Sequence, residues 1–476
     1  MEGRLALFMK RQRNNCAPIN GLSDELILEI LKHCIDSESI MHAFVQDKSS
    51  KLPAAYSLCW RWRKLAVSCP SLWNLIVLPS NPNFFRLLRD RSGTLPLRIL
   101  FFKKSLDPEV QKMNQVGDNL RLLAPRIGKL FMIWGRNESL HEFLTSCIGQ
   151  KSLGALLDLS IVAHNPSRVE NCKLNTPVLR KLNFVGAVEN MPGVSPERLV
   201  KLSIRTKSMK PTKLLPLLAK FPMLEELEIN NTIMADVLDV LDNLPNVALR
   251  NLRNLSVEWF YVSEMGAFLD HLAIPSSATI LLGVKEDGQV DFNIGDFVGT
   301  QMSTAHGLSI TRTAPHLLYT VLRKCGGPLL ISYEGLDPTA AGVKSLVTLA
   351  SYRTPLEVLD LQITSLPRTQ DLIQALTSWS SIKHIRVCTD ETEFERLLLA
   401  LEETPQIVCP RLETLNCPGT HFSTARVRGF LAFRKEHGHP LRELRVTEGW
   451  AEPDAASFAS LVDTVTEVKA GSLIGI

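Results

Sequence analysis

One six-residue pattern returns along most of this chain: apolar residues at its first, fourth and sixth positions, L-x-x-L-x-L with conservative exchanges. It occurs at Ile127-Leu130-Met132, Leu156-Leu159-Ile161, Leu179-Leu182-Phe184, Leu199-Leu202-Ile204, Leu224-Leu227-Ile229 and Leu252-Leu255-Val257. After a less regular stretch it resumes at Leu356-Leu359-Leu361, Ile382-Ile385-Val387, Leu412-Leu415-Cys417 and Leu441-Leu444-Val446. Successive starts within each run lie about 20 to 30 residues apart, the period of a short strand-and-helix unit. The last three positions alternate apolar, polar, apolar, as a strand with one buried face requires. Helical spacing lies between them at 214–221, 235–244, 317–324, 372–376, 394–401 and 427–435. One such unit cannot bury its own apolar side, so the units must stack. Strands joined through helices run parallel. Pro177, Pro222, Pro355 and Pro410 stand near strand starts, where no ladder donor is lost. The expected fold class is therefore α/β with a parallel sheet.

Residues 258–350 fit this period poorly. Strand patterns at 279–284, 307–311 and 329–333 read as three degenerate repeats. Gly283, Gly288, Gly295 and Gly299 read instead as a loop-rich insertion on one face.

Before the repeats, 17–78 has another grammar. Leu26, Ile27, Ile30, Leu31 and Cys34 share one face of a helix. Ser23 is its expected N-cap, and Asp24 and Glu25 fall in the first turn, where the helix dipole favours negative charge. A second helix is expected over 53–67, with Leu58, Cys59, Trp62, Leu65 and Ala66 on its apolar face. Arg61, Arg63 and Lys64 lie off that face, placed to steer toward an acidic partner or simply to solubilise. Ser68-Cys69-Pro70 ends it, and Trp73 and Leu75 to Leu78 come next as a cap on the first repeat. About 60 residues cannot bury two such faces alone. Residues 79–96 read as loop around a short helix at 84–91.

The series Leu22-Ser23-x-Glu25-Leu26…Glu29-Ile30-Leu31 and Ser57-Leu58-Cys59-x-x-Trp62-Arg63-x-Leu65-Ala66…Pro70-Ser71-Leu72-Trp73 resembles the F-box. It looks most like the F-box-like form common in mushroom-forming fungi, whose helices are separated by a longer spacer, here 36–52. The family usually carries Pro where this chain has Ser23, and Ser serves as a cap there. The repeats resemble the leucine-rich solenoid, in irregular form. The family's Asn or Cys after the third apolar position is not kept: Asn231 is near one such place, Phe260 and Thr420 near others. The resemblance implies a flexible basic arm at 1–16, an F-box-like helical domain at 17–78 and an irregular leucine-rich-repeat solenoid at 79–476. It implies docking on Skp1, and through it on a cullin ligase, with Leu22, Leu26, Ile30, Leu31, Cys59, Trp62 and Leu65 facing that adaptor. The solenoid would hold a protein substrate for ubiquitin transfer by other subunits. The competing reading is a leucine-rich scaffold outside any ubiquitin ligase.

Composition narrows the remainder. With 53 basic and 49 acidic residues the net charge is +4, too balanced to point to nucleic acid. Ten cysteines carry no C-x-x-C pair, so free thiols in a reducing compartment, cytoplasmic or nuclear, are expected rather than a metal site or disulfide framework. Lys10-Arg11-Gln12-Arg13 is either a solvated arm or a nuclear signal. No apolar run is long enough for a membrane span. No catalytic constellation is present, so an adaptor rather than an enzyme is expected, with no cofactor. His437-Gly438-His439 reads as a helix-terminating loop, and Cys325-Gly326-Gly327-Pro328 as a helix stop. Trp60 either contacts the first repeat or is exposed.

Overall fold

The structure is a computed structural model. It describes Met9 and residues 17–34, 58–102, 110–135, 139–149, 151–163, 172–207, 209–231, 244–286, 298–299, 302–313, 316–324, 326–335, 337–352, 354–448, 458 and 460–468. The chain is mixed α/β and forms two compact units, 1–205 and 206–476.

The first unit begins with α1 (Asp24–His33) and α2 (Trp60–Ser68). Six strands come after them: β1 (Leu75–Leu78), β2 (Leu97–Phe102), β3 (Ile127–Trp134), β4 (Asp158–Ala163), β5 (Lys181–Val185) and β6 (Lys201–Thr206). Each pairs in parallel with the next, in chain order. The register sets like on like, with Leu130 beside Leu159, Leu182 and Leu202. Helices α3 (Pro82–Arg91), α4 (Val110–Leu123) and α5 (Leu140–Cys147) lie in the connections. The β5–β6 connection departs from the expected one helix per unit. It holds only a three-residue 3-10 turn, Val188–Asn190, and forms a parallel bridge from Gly193 to Lys173.

The second unit continues the same grammar with β7 (Glu226–Asn231), β9 (Asn254–Tyr261) and β11 (Thr279–Lys285) in parallel. A two-stranded parallel ladder, β8 (Val247–Ala248) with β10 (Leu272–Ala273), joins neighbouring connections. Next along the sheet stand β14 (Leu329–Glu334), β13 (His316–Arg323) and β12 (Ala305–Thr313), in reverse chain order. β13 is antiparallel to both neighbours, so β12 and β14 keep the direction of the rest. β15 (Val358–Gln362), β16 (His384–Val387), β17 (Thr414–Asn416), β18 (Glu443–Thr447) and β19 (Thr464–Val468) then add in parallel. Helices α6 (Pro211–Leu218), α7 (Val262–Asp270), α8 (Pro338–Ala350), α9 (Thr369–Ser378), α10 (Glu391–Leu401) and α11 (Thr424–Glu436) run between strands.

Across the ten L-x-x-L-x-L motifs, no apolar position is more than 2% exposed. The pattern is thus the core itself: in most motifs the last two apolar positions point inward from the strand, and the first enters the core from the preceding turn.

Three expectations are corrected. Residues 317–324 are not helical; they belong mainly to β13, whose inward residues Leu317, Tyr319, Val321 and Arg323 have period two. Leu58 and Cys59 precede α2, with Cys59 at its N-cap, so the helical face starts at Trp60. Gly326 and Gly327 do not stop a helix. They turn β13 into β14, with Gly326 at φ +113° and a Cβ on Gly327 colliding with Thr279. The helix expected at 235–244, up to residue 243, the spacer 36–52, the start of the second expected helix at 53–57 and nearly all of the arm 1–16 lie outside the described residues.

Candidate functional site at the N-terminal helices

The two N-terminal helices are joined by polar contacts that converge on the turn before α1. Asn20, in the 3-10 turn Pro18–Gly21, accepts from Trp62 Nε1 at 3.0 Å through its side-chain oxygen. Arg61 donates to the Leu22 carbonyl at 2.8 Å, to the Asn20 carbonyl, and to Asp24 Oδ1 at 2.6 Å through Nη2 and 3.0 Å through Nε. The guanidinium thus reaches two carbonyls and the first carboxylate of α1 at once, the fork geometry that distinguishes Arg from Lys. Ser23 caps α1, accepting from the Leu26 N–H at 3.4 Å. Below them Ile27 and Leu31 of α1, four apart, are buried, as are Trp62 and Ala66 of α2, also four apart. Trp73 ties α2 to α3: its indole N–H donates to the Ala66 carbonyl at 2.6 Å, and the Arg91 guanidinium of α3 lies 4.5 Å from its ring centre.

The seven residues expected to face an adaptor are therefore divided. Leu26 is 53% exposed; Leu22, Ile30, Cys59 and Leu65 are half-buried. Leu31 and Trp62 are buried within the chain itself. They occupy the part of each apolar stripe that the chain covers itself. Arg61 is likewise not a free steering charge but a strut within the chain, while Arg63 and Lys64 are exposed. Three exposed apolar residues stand beside these without having been expected to face an adaptor: Leu58, Trp60 at 61% exposure, and Val67. Lys64 sits over the Trp60 ring, 5.2 Å from its centroid. Asn20 carried no sequence signal, since its role exists only once α2 lies beside it.

Elsewhere the polar groups read as structural. His439 N–H donates to the Arg434 carbonyl and Gly438, at φ +78°, to that of Lys435, so the His-Gly-His stretch closes the end of α11. Burial pushes the thiols of Cys409 and Cys417 up to about 12, far from the range of a reactive thiolate. Among the described residues no group of three or more His, Cys, Asp or Glu is placed to hold a metal, and no helix is long and apolar enough to cross a membrane.

No protein-family model matches the chain, and no curated protein matches it in sequence.

Proposed function

We propose that the chain is a substrate-recognition adaptor of a Skp1-cullin-F-box type ubiquitin ligase. In this reading α1 and α2 form an F-box-like module that docks a Skp1-like adaptor. The strand-and-helix array is an irregular leucine-rich-repeat solenoid that holds a protein substrate in the cytoplasm or nucleus. The observation that carries it is the set of apolar side chains, Leu26 and Ile30 four apart on α1 with Leu58, Trp60, Leu65 and Val67 in and beside α2, left at least partly open on helices that each bury another face. Exposed apolar residues concentrated on one small unit mark an interaction surface.

The test is co-expression of the full chain with Skp1, followed by size-exclusion chromatography. A stable complex is expected, and Leu26→Asp with Ile30→Asp should weaken it by about 2 kcal/mol or more, as loss of a hot spot does. Leu26 is exposed and Ile30 half-buried, and circular dichroism checks that the variant keeps its fold. Absence of a complex with the unaltered chain would leave the scaffold outside any ligase as the better reading.

A further inference from the structure

The geometry points to a binding cleft for an arginine side chain of a protein partner, on the open face of the sheet in 206–476, at a bulge around Trp259. The parallel pairing of β9 with β11 slips there: Val257 stands opposite Leu282 and Phe260 opposite Val284. Two residues, Glu258 and Trp259, therefore face the single residue Gly283. Trp259 takes up the extra length at φ +67°, a backbone conformation that a bulky residue adopts only where its surroundings impose it. Gly283 is matched to this, because a Cβ there would lie 3.2 Å from Glu258 Cα. A bulge of this kind re-aims a side chain. Here it turns a tryptophan outward, 39% exposed, between strands whose neighbouring residues alternate in and out.

The result is a cleft of about 220 Å³, several times the share of one water molecule. Leu281 and Gly283 line it between two carboxylates, Glu258 and Glu334. Trp259 and His316 form an aromatic corner, ring centroids 6.3 Å apart and nearly perpendicular. Glu258 accepts from Asn230 Nδ2 at 2.8 Å, which positions the carboxylate without neutralising it. Lys285 reaches Glu334 only at 3.8 Å and does not line the cleft. An aromatic face with two carboxylates beside it suits a cation that is also flat. A guanidinium stacks on indole and offers paired donors to a carboxylate, whereas an ammonium does so only as a point charge. The strained backbone and the glycine opposite it open the cleft, and its aromatic and acidic walls suit this one occupant. The site needs neither the N-terminal helices nor Skp1, so its test is independent of the adaptor reading.

The experiment uses the full chain labelled with 5-fluorotryptophan, the Trp259 signal being assigned from a Trp259→Phe protein. A capped Gly-Arg-Gly peptide is titrated against its isosteric citrulline counterpart and a Gly-Leu-Gly control. The expected result is a saturable shift of the Trp259 signal with the arginine peptide, weakened by about ten-fold or more with citrulline. Glu258→Gln with Glu334→Gln should give a similar loss while the other tryptophan signals stay in place. The arginine–citrulline comparison on the unaltered chain decides the matter even if that variant folds poorly. Equal binding of the citrulline or leucine peptide, or a Trp259 signal that moves with none of them, would overturn the proposal.

Discussion

At the scale of single residues, this chain relies on polar side chains that stand in for missing backbone partners. Arg434 is fully buried on α11, and among the described residues no carboxylate pairs with it. Its Nε donates to the His439 carbonyl at 3.1 Å, Nη1 to Val408 at 3.0 Å and Nη2 to Cys409 at 3.1 Å. It thereby secures a loop in which Cys409 itself sits at φ +49°. Arg323 does the same work in β13, donating to the carbonyls of Ser276, Ala278 and Gly327. Removing one partner of a buried hydrogen bond costs about 1–3 kcal/mol for each group left orphaned. Arg434→Met is therefore expected to destabilise by about 3 kcal/mol or more in urea unfolding, and Arg434→Lys nearly as much, because one ammonium cannot replace a planar fork. Full stability of the Met variant would show the three carbonyls to be satisfied otherwise. Asn231 works between neighbouring turns: it accepts from the Met209 N–H at 3.0 Å and donates to the Met209 carbonyl at 3.3 Å. Thr420 makes the comparable link with a hydroxyl, accepting from Thr389 N–H and donating to the Val387 carbonyl, both at 3.3 Å. Asn231→Ala should cost about 1–3 kcal/mol by the same measurement. The sequence marks Asn231 and Thr420 as near the turn position, but not that different chemistry can bridge the turns. Nothing in it marks Arg434, two of whose partners, Val408 and Cys409, lie on a different loop.

At the scale of elements, the test case is β13. Its residues satisfy two periods at once. Leu317, Leu318, Val321 and Leu322 fit one face of a helix, while Leu317, Tyr319 and Val321 fit one face of a strand. Tertiary partners decide between them: Tyr319 is buried with its hydroxyl 2.9 Å from Ser345 Oγ on α8, and both edges of the strand are paired. The motif strands posed no such ambiguity, because their polar residues interrupt any helical stripe. The N-terminal helices were legible from their spacing and cap for the same kind of reason. Which part of each stripe the chain covers itself was not, since that depends on Asn20 meeting Trp62 across 42 residues. If β13 is a strand, Leu318 lies directly opposite Ser332 on β14. Such antiparallel pairs have Cα atoms about 4.5–5.5 Å apart, within disulfide range. A Leu318→Cys, Ser332→Cys chain should form that cross-link under mild oxidation, found as a linked peptide by mass spectrometry. A helix over 317–324 would abolish this register and the cross-link with it. On the motif strands, Leu227→Ala removes a buried side chain and should destabilise by about 2–5 kcal/mol, read from the same urea transition.

At the scale of the whole molecule, the question is where the helical module ends and the sheet begins. β1 answers it physically, because all four of its residues are buried and it pairs along its length with β2. Ile76 and Leu78 face one side, while Leu75 and Val77 form a separate apolar cluster with Leu100, flanked by Phe102 and Phe131. A chain starting at Asn83 loses both sets of contacts and leaves β2 as an unpaired apolar edge, a template for association. A chain starting at Leu72 keeps β1 and keeps Trp73 under the Arg91 guanidinium. It gives up the Trp73 indole bond to the Ala66 carbonyl and the turn bonds from the Leu72 and Trp73 N–H groups to the Cys69 and Pro70 carbonyls, each worth about 1 kcal/mol. In an array stabilised mainly between neighbours, that loss stays local. The Leu72 chain is therefore expected to be monomeric by light scattering, and the Asn83 chain to aggregate. Under the adaptor proposal the Leu72 chain should also retain the substrate while failing to bind Skp1. Expressed beside the intact protein, it competes for the substrate and lengthens its lifetime in a pulse-chase measurement. A Leu72 chain that folds yet captures none of the intact protein's other partners would mean that α1 and α2 help choose the substrate, and the proposed division of labour would fall.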